Sequence, residues 1–294
     1  MSMPLFLRNS KTGLVYLNEM VKHVKPWWLV PQDLGNNTGW LALAANAQAN
    51  AVLKPDQEGP FEGMYFTADM GNRAMNVLIA DAGATRALMN RPVRAETIMT
   101  PAPGGQNVFI LPETLWLEQR HSLVMTFTDT SGAVNAVRPV LHGRKFLLQN
   151  AREGLANKFL AKRRMQQKIT TPYFYTTDAA VALAFGAVAQ RANITVTEEG
   201  HFVAYKITCW SNGPFSFRIL DGESGQAISG SIFVSNTQCT GVAADPYILP
   251  EPWFVEKSRQ LIVEMNNNFA GGVNNVFLTI SGRRVYDEQY REIV

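Results

Sequence analysis

Ile110-Leu111-Pro112-Glu113 returns as Ile248-Leu249-Pro250-Glu251, 138 residues later, and Glu118 returns as Glu256 at the same spacing. Further along, Leu141-His142-Gly143-Arg144-Lys145 returns as Ile280-Ser281-Gly282-Arg283-Arg284 after 139 residues, so one residue is inserted between, near Gly132 and Gly271-Gly272. Upstream, Leu78-Ile79-Ala80-Asp81 resembles Ile219-Leu220-Asp221, and Glu58-Gly59-Pro60-Phe61 resembles Glu199-Gly200-His201-Phe202. Even the entrances correspond, Pro26-Trp27-Trp28-Leu29 sitting where Pro172-Tyr173-Phe174-Tyr175 sits. A period near 140 is that of duplicated domains, because solenoid repeats run at about 20 to 50 residues.

Each copy reads as short strands punctuated by turn residues. Ala47, Ala49, Ala51 and Leu53 alternate with Gln48 and Asn50, and Ala192, Ile194 and Val196 alternate with Asn193, Thr195 and Thr197, which is the period of a half-buried strand. Phe202 to Trp210, Phe215 to Leu220, Ile232 to Val234, Leu261 to Met265 and Val276 to Ile280 are further strand candidates. Asn212-Gly213-Pro214, Asp221-Gly222 and the stretch from Asn266 to Gly272 separate them. Many short strands without βα alternation predict an all-β chain of two tandem homologous antiparallel β-sandwich, jelly-roll-like domains. The first domain is expected over 26–150 and the second over 172–294. An N-terminal arm (1–25) precedes them, with Leu14, Leu17, Val21 and Val24 roughly on one side, and a short helical linker (151–171) joins them.

Composition narrows the function classes. The 294 residues are 46% hydrophobic but only 17% charged, below the roughly 25% usual for soluble domains, as expected of a chain whose surface is largely covered. A net charge of +3 makes no case for nucleic acid or an acidic membrane as the main partner. Arg152, Lys158, Lys162, Arg163, Arg164 and Lys168 stand against Glu153 alone in the linker, but aromatic interleaving for base stacking is missing, Phe159 clustering instead with Leu155 and Leu160, so nucleic acid is not expected. Leu5-Phe6-Leu7 gives way at once to Arg8, which is not the apolar core of a signal peptide, and the run from Ala179 to Ala189 is too short to span a bilayer. A soluble chain is expected. Cys209 and Cys239 allow no disulfide framework or CxxC metal spacing and are read as buried or half-buried thiols. The sequons at Asn36 and Asn193 carry no information without a secretory signal.

The four histidines suggest no catalysis, because the repeat does not keep them. His142 gives way to Ser281, His121 to Arg259, and His201 stands where the first copy has Pro60. No GxSxG elbow, Walker loop, dinucleotide fingerprint or HExxH is present. No catalytic residue, cofactor or metal is expected, although sequence leaves a glycosidase-like carboxylate pair open. What survives duplication is a carboxylate and a guanidinium, Glu113 with Arg144 and Glu251 with Arg283. Each LPE loop is therefore predicted to be pinned by the GR segment of its own copy. The glycine before each arginine is predicted to mark a bulge or turn. Trp27, Trp28, Tyr173 and Phe174 are candidate interface residues, buried at a domain junction or subunit contact, or serving as a sugar-stacking platform.

At the LPE segments and the closing Leu141-His142-Gly143-Arg144 and Ile280-Ser281-Gly282-Arg283-Arg284 segments, the chain resembles β-rich structural proteins of tailed bacteriophage particles, from the neck, collar or capsid surface. The resemblance covers most of 26–290 by pattern. It implies a non-enzymatic virion component, made in the bacterial cytoplasm and assembled with copies of itself and with portal, tail or capsid proteins. A capsid decoration protein, a carbohydrate-binding module for host attachment and a cell-wall hydrolase are the alternatives.

Overall fold

The computed structural model describes residues 23–288 apart from 33, 35–38, 72–73, 84–85, 102–107, 120, 148–152, 178–180 and 228–230. Almost all of the proposed N-terminal arm, and the sequon at Asn36, lie outside the described residues. The first copy contains β1 (Val24–Leu29), β2 (Leu41–Leu43), β3 (Gln48–Leu53), β4 (Phe61–Met70), β5 (Met75–Asp81), β6 (Arg86–Ala87) and β7 (Val93–Arg94). After a one-turn helix, α1 (Ala95–Ile98), come β8 (Thr100–Pro101), β9 (Ile110–Leu117), β10 (Leu123–Asp129) and β11 (Asn135–Phe146). Helix α2 (Glu153–Ile169) leads without a loop into the second copy: β12 (Thr170–Thr176), β13 (Val181–Leu183), β14 (Gln190–Thr195), β15 (Gly200–Ser211), β16 (Phe215–Asp221) and β17 (Val234–Ser235). The chain closes with α3 (Asn236–Cys239), β18 (Tyr247–Val255), β19 (Gln260–Asn267) and β20 (Asn274–Tyr286).

The sheets show the duplication in most of their strands. One sheet of the first copy runs β1-β11-β4, with β2 on β11 and with β8 and β9 on β4; its counterpart runs β12-β20-β15-β18, with β13 on β20. The facing sheets are β3-β10-β5-β6, with β7 also on β5, and β14-β19-β16-β17, in which β17 pairs β16 as β7 pairs β5. The chain is therefore all-β, two antiparallel sandwiches in tandem. Period-two patterning explains the layers: Met75, Val77 and Ile79 on β5 and Leu123, Met125 and Phe127 on β10 point inward, meeting Phe66 and Leu141 of the other sheet in one apolar core. A second core gathers Phe202, Ile219, Val263 and Ile280 in the same way.

The glycine expectation holds. Register shifts at His142/Gly143, opposite the extra residue Met64, and at Ala204/Lys206, opposite Gly282. A Cβ on Gly143 would stand 2.0 Å from the Glu62 carbonyl oxygen, and one on Gly282 2.1 Å from that of Val203, so only glycine lets the strands close there. Ile232 to Val234 is not a full strand: pairing begins at Val234, and Ile232 lies exposed in the preceding turn. Strand β1 starts at Val24 and runs through Pro26; as an edge strand it tolerates a residue without an N–H.

Candidate association surfaces

The two copies meet through β12. Phe174 is fully buried, but it packs into the core of the first copy, 6.1 Å from the Phe109 ring, while Tyr173 and Tyr175 belong to the second core. The backbone follows the side chain: Phe174 N–H donates to the Leu88 carbonyl, and Asn90 N–H donates to the Phe174 carbonyl. The Asn90 amide then clamps Thr176, accepting from its N–H and donating to its carbonyl. Helix α1 completes the junction. Thr97 and Thr279 share a hydroxyl hydrogen bond at 3.1 Å, Ala243 N–H donates to the Glu96 carbonyl, and the buried Arg94 guanidinium sits 4.3 Å over the Trp210 ring. Burial lowers the pKa of Arg94, as desolvation does for any cation. Lys206 donates to the Ile110 carbonyl and lies over Phe109.

The charged residues that the repeat singled out pair differently from the expectation. Arg144 binds not Glu113 but Glu62, at 2.6 Å, and Glu62 also receives Arg163 of α2 at 2.9 Å and the Thr114 hydroxyl. The Glu62 side chain is 1% exposed, and those partners offset the cost of burying its polar head. Glu113 accepts from the Gln166 amide and faces Arg283 of the other copy at 3.8 Å, whereas Glu251 lies exposed on β18 with no ion-pair partner among the described residues. The reason is one substitution. Glu62 and Val203 occupy equivalent positions, opposite Arg144 and Arg283, so the second copy lacks the carboxylate that would hold its arginine at home.

The pair common to both copies lies one residue further on. Buried Lys145 is held by Asp56 and Glu58, which raise its pKa against the opposing effect of burial; buried Arg284 is held by Glu199. Sequence carried this signal, because the same alignment matched Glu58 with Glu199 and Lys145 with Arg284. A difference between copies hides at Asp129, whose carboxylate accepts from the amides of Asn46, Ser131 and Gly132 and from the Ser131 and Asn135 side chains. Burial opposes its charge, but the bonds from Ser131, Asn135 and Asn46 win and hold its pKa far below the usual carboxylate range. Asn267 fills the same place in the second copy, donating to the Leu183, Ala184 and Gly272 carbonyls.

The linker cations are partly spoken for: Arg163 goes to Glu62 and Arg164 to Glu118, while Phe159 packs on Trp116 and Phe146. Cys209 is buried and Cys239 half-buried, both as free thiols. Among the described residues no group of three or more His, Cys, Asp and Glu could hold a metal, and no helix is long and apolar enough to cross a membrane.

Trp27 and Trp28 stand apart. They lie on the edge strand β1 with ring centroids 6.4 Å apart, 41% and 60% exposed, beside a pocket of about 300 Å³ that Gln32, Lys54 and Asp56 help to line. Lys145 sits 4.6 Å over the Trp27 ring as Arg284 sits 3.6 Å over that of Tyr173.

No family model and no curated protein matches the chain. Solved structures to which the chain shows similarity include a triple jelly-roll turret protein of an archaeal virus, at 8% identity and a TM-score of 0.22 over 87% of this chain and 62% of that one. The exported protein XepA of PBSX is similar at 12% identity and a TM-score of 0.20, over 96% and 100% of the two chains. The tandem CBM22 domains of Xyn10C from Paenibacillus barcinonensis are similar at 6% identity and a TM-score of 0.17, over 89% and 98%.

Proposed function

We propose that the chain is a non-enzymatic structural component of a bacteriophage particle, in the neck or collar, that works by protein–protein contact. The observation that carries this reading is the junction between the copies. There an aromatic edge strand of one sandwich packs Phe174 into the other and is fixed by backbone hydrogen bonds, a buried guanidinium of the first copy lies over Trp210 of the second, and on the matching strand β1 Trp27 and Trp28 are exposed among the described residues. A chain of this kind holds its own two halves together by the means a shell or ring needs between subunits. Its partners would be further copies of itself and portal, tail or capsid proteins, in the virion after assembly in the host cytoplasm; decoration of the capsid surface uses the same contacts at another location. Quantitative mass spectrometry of purified particles, separated into heads and tails, tests the reading. The chain is expected at fixed copy number in the neck-bearing fraction, and its absence from every particle fraction refutes the proposal.

One observation favours a second reading. Trp27 and Trp28 lie beside a pocket with the polar side chains of Gln32, Lys54 and Asp56, which suits stacking on a sugar ring and hydrogen bonding to its hydroxyls. Glycan-array binding that disappears in W27A and W28A would support a carbohydrate-binding role.

A further inference from the structure

We infer that one end of the second sandwich inserts into the surface of an uncharged lipid bilayer, through the loops that join β13 to β14 and β19 to β20. This contact goes beyond the assembly reading and uses neither the junction between the copies nor strand β1.

Strand order gathers the loops at that end. Gln190 and Phe215 open β14 and β16 opposite Met265 and Asn267 at the close of β19, and Asn274 opens β20 opposite Leu183 at the close of β13. The loops over 184–189, 211–214 and 268–273 thus lie side by side, and none contains a charged residue. A turn closed by the Ala187 N–H donating to the Ala184 carbonyl sets Phe185 near its apex. Phe185 is 72% exposed, Val188 77% and Val273 57%, so apolar side chains cap the end of the sandwich.

The backbone of these loops is satisfied from within. The Asn267 amide donates to the Leu183, Ala184 and Gly272 carbonyls, and its oxygen accepts from the Phe269 N–H. Buried Asn274 donates to the Gly213 and Pro214 carbonyls and accepts from the Gly213 N–H, while Asn266 accepts from the Ala189 N–H. The Phe269 ring lies against Gly213 and Gly271, where a Cβ would stand 2.3 Å from it. Loops in water can leave such groups to the solvent; loops that enter hydrocarbon must meet them internally. A protein partner, by contrast, is ordinarily met by hydrogen bonds, about one per 100–200 Å² of contact.

The first copy lacks these features at the same end. Leu43 and Leu183 pair with Asn135 and Asn274 in the same register, so Ala45 stands where Phe185 does. The place of Asn267 is held there by Asp129, a charge that resists transfer out of water. With no charge in the loops of the second copy, the attraction is to the apolar interior and not to anionic headgroups.

Flotation of the full chain with vesicles tests this. The chain is expected to float with phosphatidylcholine vesicles at millimolar lipid, and to the same extent with phosphatidylglycerol added or in high salt. F185S with V188S should lower the lipid partition by about tenfold or more, while V134S at the first-copy end should leave it unchanged. These positions are exposed, so folding should persist, and circular dichroism checks it. Failure to float with phosphatidylcholine, flotation that needs phosphatidylglycerol or is lost in salt, or flotation indifferent to the double variant overturns the inference. So do multimers of the lipid-free chain that the double variant dissolves in sedimentation velocity, which would make this end a protein contact. The particle assay is free to succeed in each case, so the two readings fail separately.

Discussion

Replacing Phe174 with alanine separates a junction residue from an ordinary core residue. The ring is fully buried among first-copy residues, so its removal loses the transfer energy of the ring and leaves a cavity that backbone bonds at Leu88 and Asn90 keep from collapsing. A Phe to Ala change at such a site costs about 3–5 kcal/mol. The loss should fall on the coupling between copies, because Tyr173 and Tyr175 on either side stay in the second core. Calorimetry of the wild type is expected to show one cooperative unfolding event, and F174A two, with the first-copy transition at the lower temperature. Trp28 sits at the same register position but in solvent, so W28A should shift the stability of the monomer by no more than about 0.5 kcal/mol. A single F174A transition within about 1 kcal/mol of wild type in denaturant titration would refute the reasoning, as would W28A costing as much as F174A.

Three further outcomes follow from the charges and the glycines. Gly143→Ala forces a Cβ against the Glu62 carbonyl and should destabilise the first copy by more than about 2 kcal/mol in thermal denaturation. Glu62→Ala strands Arg144 and Arg163 and should cost about 3 kcal/mol while exposing α2 to proteolysis, seen as new cleavage between 153 and 169. The depressed Asp129 carboxyl gives stability that is present above its unfolded pKa of about 3.9 and is lost as pH falls below it. Denaturant titrations from neutral to acid pH should therefore show the first copy weakening, and D129N should flatten that slope, as Asn267 already fills the place in the second copy.

Much of this was legible in the sequence, for a physical reason. Strand alternation and close-approach glycines are local demands, and a duplicated sandwich states each of them twice, so Gly143 and Gly282 announced their bulges. The ion pairs were not legible in the same way. The repeat aligns Glu113 with Glu251 and Arg144 with Arg283, but alignment says which residues are equivalent and not which touch. One replacement, Glu62 by Val203, was enough to send Arg283 to the other copy. Nor could Phe174 be assigned to the first core from its own sequence neighbourhood, since its burial depends on how β12 lies against Leu88 to Asn90, far away along the chain. Glu58 with Lys145 and Glu199 with Arg284 could have been found by asking which opposite charges recur together.

Val203 also bears on discrimination. Once Arg283 has no carboxylate opposite it within its own sheet, the guanidinium is available to whatever acidic group a neighbour presents, whereas Arg144 stays largely engaged by Glu62. Two sandwiches that began as twins thus differ in how strongly each prefers an acidic counterpart, and the preferred order of the halves is written into a hydrocarbon side chain that makes no polar contact of its own. Restoring the carboxylate with V203E would give both halves the same chemistry and remove that preference, the kind of selectivity that depends on a difference between competing arrangements and not on the strength of either.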